Sequence, residues 1–131
     1  MAKAFIGCSG FNYNHWRGTF YPEGLSQRKW LGHYASVFSS VELNVTFYRL
    51  PNASTFRKWR LETPPGFVFT LKGSRFITHI KRLREPEEPL ERFFAAAQEL
   101  EEKLGAVLWQ FPPGFRADCR RLERFLELLD R

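Results

Sequence analysis

Apolar and polar residues alternate most cleanly along Val41-Glu42-Leu43-Asn44-Val45-Thr46-Phe47-Tyr48-Arg49-Leu50-Pro51, and the alternation stops at the proline. Successive strand side chains point to opposite faces, so Val41, Leu43 and Val45 fall on one face and Glu42, Asn44 and Thr46 on the other. A first buried strand is expected over Ala4–Cys8, closed by Ser9-Gly10. A third is expected over Phe67–Lys72, with Phe67, Phe69 and Leu71 on one face and Val68, Thr70 and Lys72 on the other. A fourth is expected over Ala106–Phe111, stopped by Pro112-Pro113-Gly114.

Helical spacing fills the intervals. Ser26 is placed to cap a helix from about Gln27 to Phe38, with Trp30, Leu31, Tyr34, Val37 and Phe38 on its apolar face. Asn52 or Ser54 starts a shorter helix carrying Phe56 and Trp59, ended by Thr63-Pro64-Pro65-Gly66. A longer helix is expected from Glu88 to Leu104 with Gly105 as its stop, and Asp118 caps a last one with Leu122, Phe125, Leu126 and Leu129 inward. Four strand-loop-helix units in a row demand a parallel sheet. A doubly wound sheet is one solution and half of an eight-stranded (β/α) barrel is the other. The polar face of the Val41 strand favours the barrel, because parallel strands covered on both faces read as continuous apolar runs, whereas a barrel interior tolerates polar residues near its mouth. The chain is thus expected to be a single α/β domain, a TIM-barrel-like half barrel of about four units.

With 131 residues, 44% of them apolar and 17% aromatic, the chain has material for a packed core and is not a disordered segment. Twenty basic against 14 acidic residues give a net charge of +6, which suits anionic partners. The loop from Phe11 to Gly24 sets Phe11, Tyr13, Trp16, Phe20 and Tyr21 among polar residues, so it either plugs a barrel end or lines a cleft. Cys8 and Cys119 lie far apart and outside any metal-binding spacing. No run approaches the length of a membrane helix, and the N-terminal apolar run is too short for a secretory signal, so a cytoplasmic protein is expected. There is no P-loop, G-x-S-x-G or dinucleotide fingerprint, and no cofactor is indicated.

The motifs Ile6-Gly7-Cys8-Ser9-Gly10-Phe11, Trp16-Arg17-Gly18, Phe20-Tyr21-Pro22, Val41-Glu42-Leu43-Asn44 and Thr46-Phe47-Tyr48-Arg49-Leu50-Pro51 resemble the domain-of-unknown-function 72 (YecE-like) family. Phe69 and Lys72 with Arg75-Phe76-Ile77-Thr78-His79, and Gln110-Phe111-Pro112-Pro113, agree with it. The resemblance implies a TIM-barrel-like fold of roughly twice this length, of which this chain matches only the N-terminal half, and it implies no established activity. Cys8 stands where threonine is expected and Phe11 where tryptophan is expected.

Barrel chemistry sits at the C-terminal ends of strands. That rule gathers Ser9, Trp16, Glu42, Asn44, Thr46, Tyr48, Lys72, Arg75, Thr78, His79 and Gln110. Glu42 suits a general base or a metal ligand, Lys72 and Arg75 suit an oxyanion, and His79 is a candidate acid or base. Glu42, Lys72 and His79 are the expected catalytic residues, and Ser9, Trp16, Asn44, Thr46, Tyr48, Arg75 and Gln110 the expected substrate contacts. The competing structural account of the same residues is a buried Glu42–Lys72 ion pair across neighbouring strands. No metal site is expected, since Glu42 and His79 fall short of a ligand set.

The leading expectation is an enzyme acting on a phosphorylated or otherwise anionic small molecule by hydrolysis or proton transfer. The rival is a nucleic-acid-binding or nuclease-like barrel in which Trp16, Phe20 and Tyr21 stack on bases. A third is a truncated remnant without its own activity. Four units leave both outer strands unpaired, so either a second copy, giving a homodimer of half barrels, or a missing C-terminal half is expected to cover them.

Overall fold

The structure, a computed structural model, describes residues 1–129. Four strands, β1 (Gly7–Ser9), β2 (Ser40–Leu43), β3 (Val68–Lys72) and β4 (Leu104–Leu108), form one sheet in the order β1-β2-β3-β4. Every pairing is parallel. The order lacks the reversal that defines a doubly wound sheet, and crossovers of uniform hand between successive neighbours keep the helices on one side. Those helices are α1 (Trp30–Val37), the single turn α2 (Val45–Tyr48), α3 (Ala53–Leu61), α4 (Glu87–Ala97) and α5 (Cys119–Leu129).

Register decides which side chains meet. Ser9 pairs with Glu42, Glu42 with Thr70 and Thr70 with Ala106, so these four lie level on one face, while Val41, Leu43, Phe69 and Leu71 lie on the other. The second set is buried against Trp30, Leu31, Tyr34, Phe56, Phe93 and Leu100. The first is only partly covered. Tyr34 ties helix to sheet: its hydroxyl accepts from Cys8 N–H at 2.6 Å and donates to Ser40 O at 2.8 Å, bridging β1 and β2. A second cluster, Ile77, Leu83, Leu90 and Phe125, seats α5.

The elements differ from the sequence-based expectation where a local contact outweighs pattern. β1 begins at Gly7, its first paired residue, instead of at Ala4, and Ala4 to Ile6 are exposed. β2 ends at Leu43, and Val45 is 45% exposed on α2, so neither Asn44 nor Thr46 is a strand residue. Ser26 makes no side-chain cap; its segment enters α1 through a 3-10 turn, Gln27–Lys29. Asn52 does cap α3, accepting from Thr55 N–H at 3.0 Å, and Asp118 caps α5 through Arg121 N–H at 3.1 Å.

The expected helix from Glu88 to Leu104 breaks. α4 stops at Ala97, a 3-10 stretch follows over Gln98–Lys103, and Glu101 sits at φ 50, ψ −128. The break lets β4 start at Leu104, and Gly105 is a strand residue, not a helix stop. Its missing side chain is required there, because a Cβ would stand 2.3 Å from Val68 Cγ1. Lys103, 6% exposed, turns inward and donates to Arg60 O and Thr63 O, both at 2.6 Å, and to Thr63 Oγ1 at 3.1 Å. It thereby satisfies carbonyls at the end of α3 that have no helical partner. Burial pushes its ammonium below the ordinary lysine range.

Candidate functional site at the strand ends

Ser9, Glu42 and Asn44 are brought together at the ends of β1 and β2. Asn44 Nδ2–H donates to Ser9 Oγ at 2.7 Å, and Ser9 Oγ–H donates to Glu42 Oε1 at 2.9 Å. The chain β1 is held in place for this by Gly10 N–H, which donates to Glu42 O at 2.7 Å, and by the Tyr13 hydroxyl on Ser9 O. One oxygen of a half-buried carboxylate is therefore fixed by a single neutral donor, the Ser9 hydroxyl, and the other is left for a ligand or a water.

A second group forms on α2 and the π-type turn Phe76–Ile80 after β3. The Phe47 ring carries Lys72 Nζ 5.4 Å from its centroid and the His79 ring edge-on at 5.0 Å. Tyr48 carries the Arg75 guanidinium at 5.6 Å. These cation-ring contacts hold two positive side chains without neutralising them. His79 Nδ1 is 2.8 Å from Thr78 Oγ1, a contact that occupies Nδ1 and leaves Nε2 as the ring nitrogen open to a ligand.

Thr46 joins the two groups. Expected at the substrate, it is fully buried, and its hydroxyl donates to Lys72 O at 2.6 Å and Leu43 O at 3.0 Å. It clamps α2 to the ends of β2 and β3. Glu42 and Lys72 make no ion pair among the described residues, because register places Glu42 beside Thr70 while Lys72, two residues on, lies beside Leu108 and turns to Phe47. Trp16 packs on Tyr13, Phe20 and Tyr21 at ring distances of 4.9, 5.4 and 5.9 Å and is partly buried against the main core. Tyr21 is fully buried and stacked on Trp30 at 4.6 Å, so it cannot also stack on a base. Gln110 follows β4 on the surface, outside both groups.

Beside Tyr48 opens a cavity of about 710 Å³ lined by Leu50, Ser74, Phe76, Ile77 and Phe93 and by charges that are paired with one another, Lys81 with Glu85 at 3.5 Å and Arg92 with Glu88 at 2.8 Å. Lys72 and Arg75 have no such carboxylate partner among the described residues. No three His, Cys, Asp or Glu side chains converge among the described residues, and both cysteines are free thiols. No helix among them is long and apolar enough to cross a membrane. Phe47 and Tyr13 escaped sequence reasoning as site residues. The alternation that marked Glu42 and Asn44 carried no sign that the next turn is helical and swings Phe47 between Lys72 and His79.

A four-stranded parallel α/β sheet with polar side chains gathered at the strand ends is the class these features define. Among families of that class, the one described as Protein of unknown function DUF72 matches residues 5–131, and the chain belongs to it. Over 123 residues it is 33% identical to UPF0759 protein YunF of Bacillus subtilis, covering 89% of this chain and 42% of that protein. Over 85 residues it is 32% identical to UPF0759 protein YecE of Escherichia coli, covering 65% and 31%. Two crystal structures of a DUF72 family protein (EF0366) from Enterococcus faecalis superpose with TM-scores of 0.71 and 0.74 at 20% and 22% identity, over 95% of this chain and 47% and 45% of theirs. At that identity the superposition carries the fold alone. The chain thus spans less than half the length of these relatives.

Proposed function

We propose that the chain is the N-terminal half of a TIM-barrel-like hydrolase domain that binds a phosphorylated or otherwise anionic small molecule at the C-terminal ends of its strands. The observation that carries this reading is that the ends of the paired strands β2 and β3 carry a carboxylate held by a neutral donor and cations without a carboxylate partner: Glu42 accepts from Ser9, itself held by Asn44, and Lys72 and Arg75 rest on Phe47 and Tyr48. Cations held without a carboxylate partner are free to meet an oxyanion. Glu42 activates water or takes a proton through its free oxygen, Lys72 and Arg75 hold the anion, and His79 Nε2 supplies or accepts the second proton. The excess of basic over acidic residues favours such a ligand.

The sheet's second face supports the barrel half of the reading. Ser9, Glu42, Thr70 and Ala106 lie on it without helices, Leu108 is 45% exposed there, and the outer edges of β1 and β4 are unpaired. Leu122 and Leu126 of α5 are 39% and 49% exposed beside Phe125, which is buried. The relatives' additional length is the natural cover for these surfaces.

The test is a chemical-shift titration of the chain with glucose 6-phosphate. Saturable shifts at Glu42, Lys72, Arg75 and His79 that vanish in Lys72→Met are expected, and no shift at any of the four overturns the reading.

A further inference from the structure

The connections after β3 and β4 also meet in a cleft of about 280 Å³ lined by Arg82, Arg84, Arg116, Arg121, Phe115 and Asp118, and none of the strand-end residues lines it. Four guanidiniums face one carboxylate, a formal +3 (four minus one), and that carboxylate is committed. Asp118 Oδ1 accepts Arg121 N–H and its Oδ2 pairs with the Arg121 guanidinium, both at 3.1 Å. Arg82, Arg84 and Arg116 have no ion-pair partner among the described residues.

The turn that presents two of them is strained and anchored. Arg82, Leu83 and Glu85 all have positive φ, 50, 62 and 43, a conformation that side-chain-bearing residues rarely adopt. Leu83, 3% exposed, plugs the cluster formed with Ile77, Leu90 and Phe125, so its neighbours Arg82 and Arg84 are held out at the surface. Leu83 N–H donates to Ile77 O and Arg84 N–H to Lys81 O, both at 3.0 Å, and the Arg121 guanidinium donates to Arg82 O at 3.3 Å. Such strain persists only where surrounding contacts enforce it, and it gathers at binding sites. Like charges in one cleft repel, and an anion removes that repulsion. Arginine forks match the tetrahedral oxygens of a phosphate two at a time.

We infer that this arginine cleft is a phosphate-binding site, separate from the strand-end residues and independent of their proposed role. Its small volume suits one phosphoryl group. A neighbouring cavity of about 690 Å³, which shares Arg84, Asp118 and Arg121 and adds Leu83, Glu85, Arg120 and Arg124, has room for the rest of the ligand and remains net basic, four arginines to two carboxylates. The phosphate can belong to a small phosphomonoester or to a nucleic-acid strand, since both present the same oxygens.

The experiment follows arginine side-chain Nε–H signals of the full chain during titration with inorganic phosphate, glucose 6-phosphate and a short single-stranded oligothymidylate. Saturable shifts at Arg82, Arg84 and Arg116 are expected, with affinity lowered at least tenfold in the double variant Arg82→Gln/Arg116→Gln and unchanged in Lys72→Met. The last comparison separates failure of this site from failure of the strand-end site. Tighter binding of the oligonucleotide, with a salt slope that shrinks in the double variant, assigns the source to nucleic acid. Equal or tighter binding of the monoester assigns it to a small molecule. Shifts that never saturate, or an affinity the double variant retains, overturn the proposal; both exchanged side chains are exposed, so the variant's fold is checked by an unchanged melting temperature.

Discussion

The Ser9 hydroxyl on β1 donates to the Glu42 carboxylate on β2 across 2.9 Å, and no ammonium or guanidinium among the described residues pairs with that carboxylate. A buried Glu42–Lys72 pair would make removal of either charge cost about 3–5 kcal/mol. With a neutral partner at a half-buried position, Glu42→Gln is expected to cost about 1 kcal/mol or less by chemical denaturation. A loss of 3 kcal/mol or more would restore the ion-pair account.

Lys103 is the charged side chain on which the fold depends most. All three ammonium hydrogens are spent on Arg60 O, Thr63 O and Thr63 Oγ1. Lys103→Met keeps the length, leaves Thr63 O unsatisfied and leaves Arg60 O with only the Thr63 hydroxyl at 3.1 Å, for an expected loss of about 1–3 kcal/mol. Lys58→Met, which removes a surface pair at 3.7 Å, is expected to stay within about 0.5 kcal/mol and serves as the control.

Glu101 at φ 50, ψ −128 occupies backbone space that favours glycine. Its side chain reaches Arg60 at 3.1 Å but is 55% exposed, so the pair contributes little. Glu101→Gly is expected to raise stability by about 0.5–1 kcal/mol. Destabilisation would mean that the bend is not held in this conformation.

Burial, and secondarily the nearby Cys8, push the Tyr21 hydroxyl from 10.0 up to about 12. Tyr34 is raised in the same direction, chiefly by burial. A phenol whose folded value is raised binds more protons folded than unfolded, so its contribution is complete below pH 10 and is lost as pH climbs toward 12. Unfolding free energy measured from pH 8 to 12 should fall on the alkaline side, and Tyr21→Phe, though it loses the hydrogen bond to Phe11 O, should flatten the slope.

Much of this was legible in the chain. Period-two alternation placed β3 and the face carrying Glu42, and the Asn52 and Asp118 caps were readable because a short polar side chain can bond only nearby backbone. Long-range contacts were not. Nothing local shows that Lys103 caps a helix some 40 positions upstream, that Gly105 is needed for Val68, or that Leu83 anchors a left-handed turn between two arginines. Side-chain partners at the strand ends were not legible either: the competing account paired Lys72 with Glu42, whereas Lys72 lies over Phe47 and Glu42 accepts from Ser9.

The proposed site is a site only if the polar face of the sheet is enclosed, because Glu42, Lys72 and the exposed Leu108 otherwise face bulk water beside unpaired strand edges. Light scattering of the isolated chain at micromolar concentration tests this most directly. The account predicts self-association, with a mass of two copies or more and an apolar edge that a second copy or the remaining half must cover. A monodisperse monomer that unfolds in one cooperative transition would contradict it and mark the four-stranded sheet as complete in itself.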